Sequence, residues 1–194
     1  VLEVEIGNVV VSDNDGAILT SMPASGSLTI GDVIYMSGST STADVTEMVD
    51  IAFSIENSGA VGGIQFDISD SPNYLDLMSV STTERTTGFS AEFNNVNDGS
   101  SSRIVLYSQD NINLEAGQGP VVIATFQVKE NAYADVVSVI IDNVTVTDGI
   151  GGSYWIASAD TGSVIVTPGY IEPPSNLQAV DGQDAEVLLT WNPP

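Results

Sequence analysis

The 194-residue sequence contains no cysteine and no histidine. The lack of cysteine excludes disulfide bonds and thiolate nucleophiles, and the two absences together exclude Cys/His zinc sites and a Ser-His-Asp triad. No side chain that ordinarily titrates near neutral pH is left to act as a general base. A fold of this composition is therefore held together by its apolar core, and any metal that it binds is held by oxygen ligands.

Basic residues are nearly absent as well. Arg85, Arg103 and Lys129 stand against 26 acidic residues, which gives a formal net charge of −23. This balance excludes nucleic acid as a partner and argues against an anionic membrane surface, because both are bound through lysine and arginine. No apolar run approaches the roughly 20 residues of a membrane-spanning helix, so no membrane insertion is predicted. The natural partners are cations or a basic protein patch, while the alternative is a solvated acidic coat suited to salty water.

The residues that are present predict an all-β protein. In "EMVDIAFSIE", Val49, Ile51, Phe53 and Ile55 alternate with polar or small residues, which is the period of a strand with one buried face. "GGIQFDI", "RIVLYS", "PVVIATFQV" and "GSVIV" are further short runs rich in valine and isoleucine. Clusters of Gly, Asn, Asp and Ser separate the runs and predict tight turns. Many short strands joined by such turns favour a sandwich of two sheets.

The chain also contains an internal repeat. "NVVVSDNDG", which begins at Asn8, is echoed by "NVTVTDGIGG", which begins at Asn143. The match extends backward without a gap, so that Val4 falls on Val139. The offset of 135 residues is the length of one domain, and self-similarity at a fixed offset is typical of a tandem array.

Three stretches, which begin at Val49, Ser71 and Arg103, resemble the cohesin domain of cellulosomes. "VDIAFSIENSGAVGGIQFDI" is similar to the second and third strands of that family, and "SPNYLDLMSV" is similar to its Asp-Pro-Asn turn, with Ser71 where Asp is usual. "RIVLYSQDN", "GPVVIATFQV" and "IDNVTVTDGIGG" resemble the closing strands. The resemblance implies a jelly-roll β-sandwich of nine strands over residues 31–167. It also implies that residues 1–30 are the terminal strands of a preceding cohesin-like repeat.

The C-terminal part of the chain has a different character. Residues 168–173 read as a proline-rich linker, because proline stiffens the chain and removes ladder donors. "PPSNLQAVDGQDAEVLLTWNPP" resembles the opening of a fibronectin type III domain, which implies that residues 174–194 are its first strands. In that family the tryptophan, here Trp191, packs in the core.

A protein-binding face is predicted on the central strands. Classical cohesins bind a dockerin on one flat sheet face with Asn and Asp on the third strand, where this sequence has Gly63 and Gln65. The residues predicted to form the outward face are Gln65, Asp67, Arg103, Val105 and Tyr107. The alternative is an ordinary solvated sheet surface.

Two further kinds of site are candidates. Calcium is the predicted ion, since Asp and Asn in Gly-rich loops supply the hard oxygens that it prefers; the alternative is that these residues only make turns. The candidate ligands are Asp13, Asp15, Asp148, Asn97 and Asp98. Tyr154 and Trp155 are candidates for stacking on a sugar ring, although the other repeat has Ile18 and Leu19 there, which favours packing.

These observations predict a non-catalytic extracellular module, structural or protein-binding, of a repetitive surface or scaffold protein. Its partner is then a dockerin-like protein or another copy of itself. One alternative is a self-assembling filament or surface-layer subunit that uses head-to-tail strand exchange between chains, and another is a carbohydrate-binding module. No pair of carboxylates is singled out by the sequence as the acid and base of a glycosidase, so no enzyme activity is predicted.

Overall fold

A computed structural model describes residues 33–168 without a gap, together with residues 2–5, 11–12, 15, 18–19, 25–28, 175–183 and 186–192. Its strands are β1 (Leu2–Glu5), β2 (Val11–Ser12), β3 (Ile18–Leu19), β4 (Ser25–Leu28), β5 (Val33–Gly38), β6 (Thr40–Asp44), β7 (Met48–Asn57), β8 (Gly63–Ser71), β9 (Leu75–Thr82), β10 (Ser90–Val96), β11 (Ser101–Tyr107), β12 (Gly117–Val128), β13 (Asp135–Thr147), β14 (Trp155–Asp160), β15 (Gly162–Thr167), β16 (Ser175–Gln183) and β17 (Glu186–Asn192).

Strands β5 to β15 form a sandwich of two sheets. One sheet has six strands in the order β10-β11-β8-β13-β15-β6, and the other has five in the order β14-β5-β7-β12-β9. Within the described residues the helical elements are two single 3-10 turns, Glu84–Thr86 and Asn97–Gly99. No helix in that part of the chain is long and apolar enough to cross a bilayer. The all-β sandwich predicted from the alternating runs is confirmed.

The core lies between the two sheets and follows the period-two pattern of the sequence. Val49, Ile51, Phe53 and Ile55 of β7 are all buried. Facing them from β8, Phe66 is fully buried, and its ring centroid lies 5.1 Å from that of Phe53 at a tilted angle of 56°. Tilted aromatic pairs of this kind stabilise a core beyond the area that they bury. The inner face of β8, with Ile64, Phe66 and Ile68, is therefore buried in the core, and the opposite face of the strand points away from it.

Two of the strand runs change sheets partway along. β5 and β6 are one run interrupted at Ser39, and β14 and β15 are one run interrupted at Thr161. β5 pairs parallel with β14 in the five-stranded sheet, and β6 pairs parallel with β15 in the six-stranded sheet. Counted as continuous runs, the eleven strands reduce to the nine implied by the resemblance.

The two runs touch where they change sheets, at Gly38 and Gly162. A Cβ atom added to Gly38 would lie 2.6 Å from both the Cα and the N of Gly162. These are backbone atoms, so no flexible side chain can move aside. Glycine at this crossing lets the two backbones approach closely enough for the Ser163 N–H to bond the Ser39 carbonyl at 3.0 Å.

Near the N-terminus, β1 pairs with β4 in a two-stranded sheet whose register repeats that of β13 with β15. The matching pairs are Leu2–Leu28 with Val137–Val164, Glu3–Ser27 with Ser138–Ser163, and Val4–Gly26 with Val139–Gly162. In the sandwich, β13 is also bonded to β8, and β15 to β6. The sequence repeat is therefore also a repeat of strand pairing.

Near the C-terminus, β16 and β17 pair antiparallel, with Ala179 opposite Leu189. Two strands occur where the fibronectin type III resemblance places its first two. The assignment of residues 174–194 to such a domain stays a prediction, as does the linker at residues 168–173.

Candidate functional site

The candidate site is the outer face of the six-stranded sheet, where β8 lies between β11 and β13. Their antiparallel register places Val105 opposite Gln65, and Gln65 opposite Thr145 on the far side. Two residues along each strand, Tyr107 and Thr147 both lie opposite Gly63. Because side chains alternate across a sheet, these residues all stand on the face away from the core.

A shallow depression of about 240 Å³ lies on this face. Its lining residues are Gly63, Ile64, Gln65, Val105, Leu106, Tyr107, Thr145 and Thr147. Gly63 accounts for the depression: a Cβ there would meet nothing closer than 3.4 Å, so its missing side chain leaves open space between Tyr107 and Thr147. We call this site the Gly63 depression.

Tyr107 is held at the edge of the depression by the neighbouring edge strand. Its hydroxyl donates to Oε1 of Glu92 at 2.8 Å, and Glu92 lies on β10 directly opposite Val105. The bond fixes the phenol ring while leaving the side chain partly exposed. A partly exposed aromatic beside an apolar depression is the arrangement in which protein partners commonly anchor.

Asp67 and Arg103 form an ion pair beside the depression. Asp67 Oδ1 accepts from Arg103 Nε at 2.7 Å, and Oδ2 accepts from Arg103 Nη2 and from Asn143 Nδ2, each at 2.9 Å. The hydrogen bond from Arg103 lowers the pKa of the Asp67 carboxyl against the opposing effect of burial, and the bond from Asn143 lowers it further. Asp67 points outward as predicted, but the two partners cover it, so that only 4% of the residue is exposed.

Sequence reasoning missed Asn143, because its role depends on a bulge. The pairing of β13 with β8 shifts between Asp142 and Thr145, and Asn143 has a positive φ of 50° there. Asparagine tolerates this left-handed conformation better than most residues. The bulge brings the Asn143 amide over Asp67, which lies 76 positions earlier in the chain.

All three basic residues of the chain are engaged by its own groups. Arg85 donates to the carbonyl oxygens of Ile55, Gly119 and Glu115 and to the side-chain oxygen of Asn57. Lys129 contacts Asn73 and lies 3.4 Å from an oxygen of Asp76, and Arg103 is paired with Asp67. The charge left over at the surface is therefore negative, which favours neutral or basic partners.

Three of the calcium candidates, Asp148, Asn97 and Asp98, lie in the sandwich, and they do not come together. Asp148 follows β13 at the Tyr107 end of β11, whereas Asn97 and Asp98 form the 3-10 turn before the opposite end of that strand. Oδ1 of Asp148 accepts the backbone N–H groups of Ile150 at 3.0 Å and Gly152 at 2.6 Å, as in a turn.

Asp13 lies outside the described residues, and Asp15 lies in an exposed turn. Among the described residues there is no group of three or more acidic side chains that could hold a metal ion. Calcium stays a prediction, and melting curves in calcium and in chelator at matched ionic strength test it.

The predicted sugar-stacking pair has a structural explanation for one member. The Tyr154 hydroxyl donates to the carbonyl of Ala60 at 2.5 Å, and the partly buried Tyr154 side chain packs against the core. This is the packing alternative that the aliphatic counterpart in the other repeat favours. The backbone of Trp155 pairs with Val33 in β14, and its side chain lies outside the described part of the structure.

The chain is similar in fold to solved cohesin domains. The domain CaCohA2 from Clostridium acetobutylicum is 19% identical, with a TM-score of 0.60 over 72% of this chain and 94% of its own length. A non-cellulosomal cohesin from the archaeon Archaeoglobus fulgidus is 16% identical, with a TM-score of 0.57 over 69% of this chain and 91% of its own. A Clostridium thermocellum cohesin, solved in a type I cohesin–dockerin complex, is 12% identical, with a TM-score of 0.58 over 74% of this chain and 99% of its own.

The fold is therefore that of a cohesin domain, as the resemblance predicts. No family model matches the chain, and no curated protein matches it either. At these identities the likeness shows the fold, and what the surface binds has to be argued from the residues on it.

Proposed function

We propose that this chain is a non-catalytic protein-binding module of a repetitive extracellular scaffold or surface protein. In this proposal the Gly63 depression on the outer sheet face takes a dockerin-like partner. The observation that carries it is the depression itself, which lies beside Tyr107 and Val105 in the middle of the predicted face. The Clostridium thermocellum neighbour was solved with a dockerin, which supports a partner of that class.

The depression differs from the recognition surface implied by the family in one chemical respect. Gly63 and Gln65 stand where classical cohesins have Asn and Asp, so charged hydrogen bonding at these positions is replaced by a cavity and one neutral amide. The fitting partner therefore inserts an apolar side chain between Tyr107 and Thr147, and its polar groups bond Gln65. Such a buried apolar anchor in a well-fitting pocket is where binding energy concentrates in protein interfaces.

The negative surface adds a second expectation about the partner. The basic residues of this chain are internally engaged, so long-range attraction favours a neutral or basic binding surface. The association rate of a basic partner should then fall as salt is added, because screening weakens the steering of unlike charges.

The repetitive character rests on the N-terminal strands. The pair β1–β4 repeats the register of β13–β15, as the C-terminal strands of a preceding cohesin-like repeat would. The extracellular location and head-to-tail self-association belong to the same proposal, since isolated strand pairs with open edges readily add strands from another copy.

Calorimetric titration with a panel of purified type I dockerins tests the binding surface. Val105→Asp places a charge beside the depression and is expected to weaken binding at least tenfold, or about 1.4 kcal/mol. Met78→Asp is the matched control, because Met78 is 49% exposed on β9 of the other sheet. It is expected to leave binding unchanged.

Two results would overturn the proposal. If Val105→Asp binds a dockerin as tightly as the parent chain does, the Gly63 depression is not the recognition surface. Reproducible hydrolysis of a glycan, lost on substitution of a single Asp or Glu, would contradict the non-catalytic assignment.

A further inference from the structure

The outer face of the five-stranded sheet carries a second depression, of about 200 Å³, far from the Gly63 depression. Its centre is a row of residues that are paired across four adjacent strands. The row runs Ser158 on β14, Tyr35 on β5, Glu56 on β7 and Gln118 on β12. Neighbouring strands lie about 4.8 Å apart, so the row spans roughly 14 Å. We call this site the Tyr35 trough.

A second row closes one side of the trough. Asp160 lies opposite Ser37, and Ser37 lies opposite Ser54. Together the two rows place one aromatic ring among two carboxylates, one amide and three hydroxyls. Tyr35 is 51% exposed, which leaves much of its side chain accessible from solvent.

Among the described residues, the fold makes no use of the polar side chains of the trough. Within the described residues, no hydrogen bond or ion pair engages the side chains of the two rows. The polar cavity of about 140 Å³ near Asp70 is different. There Asp70 Oδ2 accepts the N–H groups of Tyr74 and Leu75, and Lys129 contacts Asn73 and Asp76. Convergent polar groups that are left free beside an aromatic surface are typical of a binding site.

The chemistry of the residues that line the trough limits the classes of ligand that it can bind. No basic residue lines the trough, and Glu56 and Asp160 repel an anion. These two carboxylates do not belong to any acidic group that could hold a metal. Sites for organic cations typically enclose the charge in several aromatic rings, whereas Tyr35 is the one aromatic residue among the described lining residues. What remains is a neutral ligand with an apolar face and many hydroxyls.

We propose that the Tyr35 trough binds a neutral saccharide. A sugar ring lies flat on Tyr35, because the C–H groups on the face of a pyranose pack against an aromatic ring. Glu56 and Asp160 accept hydrogen bonds from ring hydroxyls, and Gln118 both donates and accepts. The small volume suits one ring.

Titration of the full-length chain with neutral oligosaccharides tests the proposal. The probes are β-1,4-glucan, xylan, mannan and α-glucan hexamers. Binding is measured by calorimetry and by the NMR chemical-shift changes of Tyr35, Glu56 and Gln118. At least one probe is expected to bind and to shift these residues. Tyr35→Ala is expected to weaken that binding at least tenfold, whereas Tyr35→Phe, which keeps the ring, changes it less than threefold. Tyr133→Ala is the control, since Tyr133 is 63% exposed elsewhere.

A basic peptide is the competing ligand, because it could bind the carboxylates of the trough by charge alone. Titration with a lysine-rich peptide at low and at high salt distinguishes it from a saccharide. Saccharide binding is expected to be insensitive to salt and to persist partly in Glu56→Gln. The proposal is overturned if no oligosaccharide shifts the trough residues, or if binding survives Tyr35→Ala. It is overturned as well if the peptide alone binds the trough and does so only at low salt. If Tyr35→Ala fails to fold, the proposal is tested by the Tyr35→Phe variant and by the chemical-shift changes of the parent chain.

Discussion

Substitution of Gly38 by alanine is expected to be strongly destabilising although the change is one methyl group. The added Cβ would lie 2.6 Å from two backbone atoms of Gly162, whereas favourable carbon contacts lie at about 3.5 Å or more. The two crossing runs would have to separate by roughly 0.9 Å. That movement strains the bond from Ser163 to Ser39 and the packing of Phe53, whose ring would lie 3.4 Å from the new atom.

The expected cost follows from these contacts. Overpacking typically destabilises by about 1–3 kcal/mol, and a weakened hydrogen bond adds up to about 1 kcal/mol. Alanine also lowers the conformational entropy of the unfolded chain, and this offsets about 0.5 kcal/mol of the lost stability. The net loss is then about 0.5–3.5 kcal/mol, out of the roughly 5–15 kcal/mol that stabilises a domain, and it should lower the melting temperature by about 4 °C for each kcal/mol.

Differential scanning calorimetry of the full-length chain measures this loss against a matched glycine. Gly63→Ala meets no atom closer than 3.4 Å, and so it is expected to be neutral or slightly stabilising. If the two variants melt within 2 °C of each other, the close approach of the runs at Gly38 and Gly162 is wrong.

Two further predictions concern the ion pair and the repeat. The pKa of Asp67 is lowered in the folded protein, so its pairing with Arg103 stabilises the fold above the unfolded pKa of about 3.9 and is lost as the pH falls through the lower folded pKa. The urea midpoint of Arg103→Met should therefore fall furthest below that of the parent near pH 7 and approach it near pH 3; an equal deficit at both pH values would contradict this. Replacing residues 136–166 by residues 1–30 should leave one cooperative thermal transition, because β1–β4 repeats the register of β13–β15. A swap that melts like a control with residues 1–30 shuffled would contradict the repeat.

The two proposed sites lie on opposite sides of one sandwich. The Gly63 depression is on the six-stranded sheet and the Tyr35 trough is on the five-stranded sheet, with the apolar core between them. Packed sheets are about 10 Å apart, so both outer faces are open at once and neither ligand blocks the other. A module of this kind would hold a protein partner on one side and a polysaccharide on the other. Val105→Asp and Tyr35→Ala should thus affect one ligand each.

The acidic composition has a consequence for the whole surface. With Arg85, Arg103 and Lys129 each bound to groups of the chain itself, replacement of any of them removes a structural contact as well as a charge. Arg85 shows this most clearly, since burial lowers its pKa and Asn57, its side-chain acceptor, is 3% exposed. The few cations of this chain hold its loops and its sheet face in place.

Much of the fold was predictable because local chemistry decides it. The alternation of Val49, Ile51, Phe53 and Ile55 determines which face of β7 is buried, since successive side chains point to opposite sides of a strand. The same rule places Gln65 and Val105 on one outer face, and the structure brings them together there. The candidate face was predictable to this extent, although the depression at Gly63 was not, because a cavity depends on what the neighbouring strands leave empty.

The alternation of apolar and polar residues could not predict other features, namely the burial of Asp67 and the residues that form the Tyr35 trough. Asp67 reads as an exposed residue, yet Arg103 from β11 and Asn143 from a bulge in β13 cover it. The Tyr35 trough draws its four-residue row from four separate strands, and no spacing in the sequence relates Ser158 to Gln118. Alternation gives the side of a sheet on which a residue stands and says nothing about which strand lies beside it.

By itself, the amino-acid sequence determined the composition-based exclusions, the strands, their buried faces and the repeat between residues 1–30 and the end of the domain. These depend on residue type and on short-range periodicity, which any stretch of chain carries with it. Only the tertiary structure decided the strand order, the crossing at Gly38 and Gly162, and the two depressions on the outer faces. The physical reason is that these features arise from contacts between segments up to 124 positions apart, where sheet register and close packing, rather than local preference, fix which atoms meet.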